Sequence, residues 1–232
     1  MRLGFWLGGL SVATCVLAAC GSASPPYGVT PTRPNQATTE TLALPTPRTR
    51  GTLALEETLA RRRSVREFLD TPLTLVELGQ LLWAAQGITS SVGQRTAPSA
   101  GALYPLEVYA VTRDAVYRYE PNAHRLIVHA RGDARAALYA VALLQEAILR
   151  APTTIVIAAV HARTAQKYGE ERTPRYVALE AGHAAQNVLL QAVALNLGAV
   201  PIGAFLDDQV MHVLTLPRDH QPLYLIPVGY PK

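Results

Sequence analysis

The chain has 232 residues, room for one domain with extensions or two small ones. Hydrophobic residues make up 49% and charged residues 16%, enough apolar surface to offset the entropy of ordering a core, which excludes an intrinsically disordered chain. The net charge of +4 is too small and too scattered to call for nucleic acid, and both cysteines, Cys15 and Cys20, lie near the start, so the rest of the chain holds no disulfide, thiolate metal site or cysteine nucleophile.

Met1 and Arg2 precede an apolar run, Leu3 to Leu17, and then small residues. That is the plan of a secretory signal rather than a spanning helix, which needs about 20 apolar residues. Leu17-Ala18-Ala19-Cys20-Gly21 resembles the lipobox of bacterial lipoproteins, in which the cysteine is lipid-modified and becomes the new N-terminus. An ordinary cleaved signal or a short membrane anchor is the alternative. The expected organisation is a signal peptide over 1–19, a Pro/Thr-rich tether over 20–50 and a folded domain over 51–232, held outside the cytoplasm at the membrane.

Within the domain, Leu53 to Ala60 suits a helix. Thr74 and Glu77 form the pattern of a capping box that starts a second one, and Gly87 is placed to end it in a left-handed conformation. Ile88 to Ala97 reads as a loop and Leu106 to Thr112 as a strand. Ala115 to Tyr119 and Arg125 to His129 read as a hairpin. One helix is expected over Asp133 to Arg150, a buried strand over Thr153 to Val160, and a long apolar helix over Arg175 to Leu197 that Gly198 stops. Strands over Val200 to Phe205 and Leu223 to Val228 complete an α+β fold with a mostly antiparallel sheet.

Four segments carry candidate chemistry. Arg61, Arg62, Arg63 and Arg66 surround Ser64; guanidinium forks and a hydroxyl can grip phosphate, but a solvated basic face has the same pattern, and spacing leaves both readings open. Pro98, Ser99, Ala100, Gly101 and Ala102 are small enough for a ligand to approach the backbone, or simply for a tight turn. Glu180-x-x-His183 puts a carboxylate and an imidazole on one helix face, yet the second such pair that a di-iron site needs is absent, so no metal is expected and His183 reads as a packed, hydrogen-bonded histidine. Gln186 and Asn187 extend that polar stripe and call for buried partners or a second subunit. Lys167-Tyr168, in an expected polar loop, can serve proton transfer or be plain surface. No Gly-x-Ser-x-Gly occurs, which argues against a serine hydrolase.

Six segments in order resemble the nitroreductase superfamily, and within it the SagB-type (ThcOx-type) dehydrogenases: RRRSVREF at Arg61–Phe68, PLTLVELGQLLWAAQG at Pro72–Gly87, APSAGALYPLEVY at Ala97–Tyr109, KYGEERTPRY at Lys167–Tyr176, EAGHAAQNVLLQAVALNLGAVPIGAF at Glu180–Phe205 and PLYLIPVGYP at Pro222–Pro231. The resemblance implies a nitroreductase-like α+β fold that forms homodimers and binds FMN in two clefts at the interface. It places Arg62, Arg63, Ser64 and Arg66 at the FMN phosphate and ribityl chain. Pro98, Ser99, Ala100 and Gly101 fall where the partner subunit closes over the flavin, and Pro201, Ile202, Gly203 and Ala204 beside the isoalloxazine ring. Many family members carry a glutamate where Gly203 stands, and many continue past the Gly-Tyr-Pro segment with a basic pair for which Lys232 is the available substitute. Lys167-Tyr168 is similar to a pair that assists deprotonation in azoline-oxidising members. The implied activity is a ping-pong FMN-dependent oxidoreductase acting on a small-molecule or peptide substrate, with NAD(P)H as one candidate donor; the alternative is a non-catalytic flavin-binding lipoprotein for storage or sensing.

Overall fold

The computed structural model describes residues 40–232; the expected signal peptide (1–19), Cys20 and residues 21–39 of the expected tether lie outside them. A seven-stranded sheet forms the centre, in the order β1 (Thr41–Ala43), β4 (Arg125–Arg131), β3 (Ala115–Glu120), β2 (Leu106–Val111), β5 (Thr153–Ala159), β7 (Gln221–Gly229), β6 (Gly198–Ala199). Every ladder between these strands is antiparallel. Helices cover both faces: α1 (Leu55–Arg61), α2 (Leu75–Gln86) and α5 (His161–Ala194), and on the other side α3 (Arg135–Val141), α4 (Glu146–Arg150) and α6 (Asp207–Val213). Among the described residues, no helix is long and apolar enough to cross a membrane.

Strand β5 explains why its sequence is apolar without alternation. Ile155 and Ile157 enter the core beneath α2 and α5, while Val156 and Ala158 enter the second core with Leu138, Ile148, Val210 and Leu214. A strand buried on both faces needs apolar residues at both parities. Burying each of its larger side chains stabilises the fold by about 1.5–3 kcal/mol.

The capping box forms as the sequence dictates: the Glu77 amide donates to the Thr74 hydroxyl (3.2 Å) and the Thr74 amide to the Glu77 carboxylate (2.8 Å). Five other expectations are corrected. Residues 40–50, assigned to the tether, are packed: Thr41–Ala43 pair with β4, Leu44 is buried, and Arg48 exchanges backbone hydrogen bonds with the Gln80 side chain (2.8 and 3.0 Å). Gly87 is extended rather than left-handed (φ −65°, ψ 146°); a Cβ there would lie 2.6 Å from the Trp83 carbonyl oxygen, so close approach requires the glycine.

The helix expected over 133–150 is two, α3 and α4, separated by Leu143 and Leu144 at φ 55° and 57°. Tertiary bonds override the local preference there: the Leu206 amide donates to the Val141 carbonyl (3.0 Å) and the Gln145 side chain to the Ala204 carbonyl (3.0 Å). The long helix starts at His161, breaks at Gly169 (φ 73°) and ends at Ala194 with Asn196 left-handed, three residues before the expected end at Leu197. Gly198 does not stop it but lies in β6, where a Cβ would meet Val65 at 2.6 Å. Of the strand expected over 200–205, only its start is held to β7: the Val200 amide donates to the Pro227 carbonyl (3.2 Å) and Ile202 bridges Leu225.

Candidate functional site

The arginine run leaves α1 at Arg62 and lies along the sheet edge formed by β6. Ser64 bridges Ala199 in parallel, and the Val65 amide donates to the Ala199 carbonyl (3.1 Å). The C-terminus closes the other flank: Phe68 bridges Pro231, and the Lys232 amide donates to the Glu67 carbonyl (3.2 Å). Lys232 and the arginines, remote in sequence, therefore share one edge. An open cavity of about 300 Å³ follows it, lined by Arg61, Arg63, Val65, Asn196, Ala199 and Pro231.

Eight of the arginines among the described residues pair with carboxylates, including Arg61 with Glu57 and Arg150 with Glu67. Arg62, Arg63 and Arg66 make no ion pair among the described residues; Arg63 donates to the Ala60 and Arg62 carbonyls (2.9 and 2.8 Å). This edge thus carries uncommitted cationic donors, the chemistry that a phosphate requires. The segment after β6 adds Pro201, buried Ile202, and exposed Gly203 and Ala204. A Cβ on Gly203 would meet nothing closer than Tyr224 at 4.0 Å, so packing does not demand the glycine and its face is open to a ligand.

The second constellation is the turn Pro98–Tyr104. Ala100–Ala102 form a short 3-10 turn, and Gly101 (φ 64°), Ala102 (φ 55°) and, two residues on, Tyr104 (φ 46°) are left-handed. Such strain persists only where surroundings fix it. The Ser99 hydroxyl accepts from the Tyr104 amide (2.9 Å), and Arg163 donates to the Tyr104 carbonyl (3.1 Å) while pairing with Glu107 (2.5 Å). Lys167 and Tyr168 lie on the first part of α5, not in a loop, and they face this turn: a Cβ on Gly101 would be 3.0 Å from the Lys167 Nζ and 3.1 Å from the Tyr168 hydroxyl. Tyr168 is itself held against Tyr176, ring centroids 4.5 Å apart.

The structure thus joins Ser99–Gly101 to Lys167–Tyr168, and Arg62–Arg66 to Lys232 and Ala199. No hydrogen bond or ion pair among the described residues links the two groups within one chain. A concavity of about 390 Å³ between residues 48–53, α2 and α5 contains Asn187 but none of the residues that the resemblance assigns to the flavin.

Glu180 and His183 do not act as one polar unit. His183 and Gln186 are exposed, correcting the expectation of a packed histidine, whereas Glu180 is buried, 3% exposed, and its Oε1 has no hydrogen-bond partner. Burial raises its carboxyl to about 7 against the Ser99 hydroxyl and the Arg95 guanidinium, which both favour the ionised form. Arg95, missed from sequence, donates to Gln86 (2.8 Å) and lies 4.5 Å over the Tyr104 ring. One signal was available: an acid on the apolar face of a helix needs a reason. Arg95 gave none, being a lone arginine in a polar loop.

The antiparallel sheet with helices on both faces, the edge of unpaired arginines and the strained turn under α5 define a nitroreductase-like α+β protein. A model of the nitroreductase family matches residues 59–230, and the chain belongs to that family. It is 44% identical over 183 residues to a nitroreductase homologue of Methanocaldococcus jannaschii, covering 76% of this chain and 91% of the relative. The crystal structure of a nitroreductase homologue from Ralstonia eutropha superposes with a TM-score of 0.77 at 34% identity, covering 86% of this chain and 94% of that one. An NADPH:FMN oxidoreductase from Vibrio harveyi, solved with NAD+, shares the fold at a TM-score of 0.58 and 23% identity, over 77% of this chain and 69% of that one.

Proposed function

We propose that this protein is an FMN-dependent oxidoreductase of the SagB type, homodimeric and held at the outer face of a membrane by a lipid on Cys20. The observation that carries the cofactor assignment is the edge where Arg62, Arg63 and Arg66, free of carboxylate partners, line up beside Ser64, Ala199 and Lys232. These residues fit a flavin phosphate. Arg62, Arg63, Arg66 and Lys232 would neutralise it, Ser64 would donate a hydrogen bond, and the backbone of Pro201–Ala204, with its open glycine, would lie beside the ring.

When bound, FMN supplies two-electron chemistry at its ring. The chain's part is anchoring, orientation and proton handling: Lys167 and Tyr168 hold donors at the Gly101 turn. In one chain this turn has no link to the arginine edge, which favours a cleft completed by a second copy. The exposed stripe Leu179, His183 and Gln186 on α5 supports the same reading, because a face with apolar and unpaired polar groups is satisfied by a partner helix.

The test is the visible spectrum of the purified protein, followed anaerobically after adding NADPH or NADH. A flavin spectrum that bleaches supports a nicotinamide-driven oxidoreductase, and one that persists points to another donor or to a binding module. A colourless protein that takes up no added FMN overturns the cofactor assignment.

A further inference from the structure

We propose that the Tyr224 phenol is a contact of the flavin ring, reached through a notch that Gly203 leaves open, and that its hydroxyl donates a hydrogen bond there and raises the reduction potential of the bound flavin. The inference rests on the reading that a flavin ring lies beside Pro201–Ala204.

The strand register carries it. Ile202 and Leu225 exchange both backbone hydrogen bonds (2.8 and 2.9 Å), and both side chains enter the core on the side of α3, α4 and α6. Side chains alternate along a strand and opposed residues share a face, so the next pair, Gly203 and Tyr224, turns to the face that α5 covers. Two observations agree. Tyr224 pairs with Ile157 of β5 and packs against the core beneath α5, and a Cβ on Gly203 would meet the Tyr224 Cε1 at 4.0 Å and nothing closer. Cε1 is bonded to the carbon that bears the hydroxyl, so the polar edge of the ring borders the notch.

The backbone does not require this glycine. Its φ lies outside the left-handed region and no neighbour crowds it, in contrast to Gly198 and Gly229, whose Cβ atoms would fall 2.6 and 2.5 Å from Val65 and Pro152. What the glycine provides is access, because a side chain at 203 would stand over Tyr224. The phenol is half-buried and has no hydrogen-bond partner among the described residues, whereas the hydroxyls of Tyr109, Tyr119, Tyr139 and Tyr230 each have one. Nor is it sealed: the buried side-chain atoms left without a partner belong to Gln86, Thr154 and Glu180. A donor that is free of the protein and borders an open notch is placed to serve a ligand. Reduction makes a flavin ring more electron-rich, and hydrogen bonds to charged acceptors are about twice as strong as neutral ones. Tyr224 therefore holds the reduced ring more tightly than the oxidised one.

Three measurements on the purified protein decide the matter. Tyr224→Phe keeps the ring and its packing and removes only the hydroxyl. Affinity for oxidised FMN should fall about fivefold, the worth of one neutral hydrogen bond, and affinity for reduced FMN about 25-fold. That fivefold difference lowers the two-electron potential by about 20 mV. Unchanged affinity and potential, with flavin still bound, overturn the inference alone. Gly203→Leu should cover the phenol, so that adding Tyr224→Phe lowers the potential no further; an equal drop in both backgrounds shows that the notch is not the route. Tyrosine nitration by tetranitromethane, read by mass spectrometry, starts from the apoprotein: Tyr224 should be modified there, protected by FMN and left unprotected by inorganic phosphate, which occupies only the arginine edge. A Tyr224 that resists nitration in the apoprotein overturns the open notch, and equal protection by phosphate overturns the ring contact. A wild type that takes up no FMN overturns the cofactor reading and this inference with it.

Discussion

The arginine edge and the Pro98–Tyr104 turn solve opposite problems. The edge is regular and open: backbone bonds from Val65 and Lys232 fix the chain, while the Arg62 and Arg66 side chains have no ion-pair partner among the described residues. The turn is irregular and closed, with three left-handed residues tied down by Ser99, Arg163 and the packing of Lys167. A charge meant for a ligand gains from being left uncommitted, whereas a surface meant to orient one gains from being over-determined.

Removing a side chain from the open edge should therefore cost binding and little stability. Arg66→Ala is expected to weaken FMN binding by about 10- to 100-fold, the loss of a charge-assisted hydrogen bond of about 1.5–3 kcal/mol, with an unchanged melting temperature; fluorescence titration and calorimetry check both halves. Disturbing the backbone beneath the edge should do the reverse. Gly198→Ala drives a Cβ to 2.6 Å from Val65 and is expected to destabilise by about 1–3 kcal/mol, read by denaturant unfolding.

At the turn, Gly101→Ala meets Lys167 at 3.0 Å and a left-handed backbone, and is expected to cost about 1–2 kcal/mol of stability; a melting temperature equal to wild type would show the turn to be looser than described. The smallest effect lies away from both regions. His124 donates from Nε2 to the Pro45 carbonyl (2.9 Å) and so accepts from the Tyr119 hydroxyl at Nδ1 (2.9 Å), which fixes the neutral tautomer. Burial, against the Pro45 hydrogen bond, lowers its pKa below the ordinary 6.5, so on acidification the unfolded chain takes up a proton that the folded chain refuses. Its contribution is intact above 6.5 and falls away as pH drops below it; His124→Gln should flatten that limb of the stability profile.

Legibility in the sequence followed the range of the forces. Capping of α2 by Thr74 and Glu77 and the two-sided burial of β5 depend on neighbours in sequence, and both were readable. Elements fixed from a distance were not: β1 is held by β4, the left-handed leucines by residues 204–206, and Gly198 by the bulk of Val65. The candidate site divides in the same way. The arginines could be seen as a run, but that they lack carboxylates and meet Lys232 depends on the fold. Glu180 was visible only as half of a metal motif, because its burial depends on how α5 packs.

The sheet order has a mechanical consequence. The described chain begins on β1, at one edge, and the arginine run lies against β6 at the other, roughly 29 Å away at about 4.8 Å per strand. Tension applied upstream of Glu40 would first peel the three residue pairs of β1 from β4 and lift Leu44, with six strands between that rupture and Ser64. Short as it is, β1 acts as a fuse: a pull from upstream of Glu40 is spent on the β1–β4 ladder and the Glu40–Arg131 ion pair, away from the arginine run at Ser64 and from the strained turn.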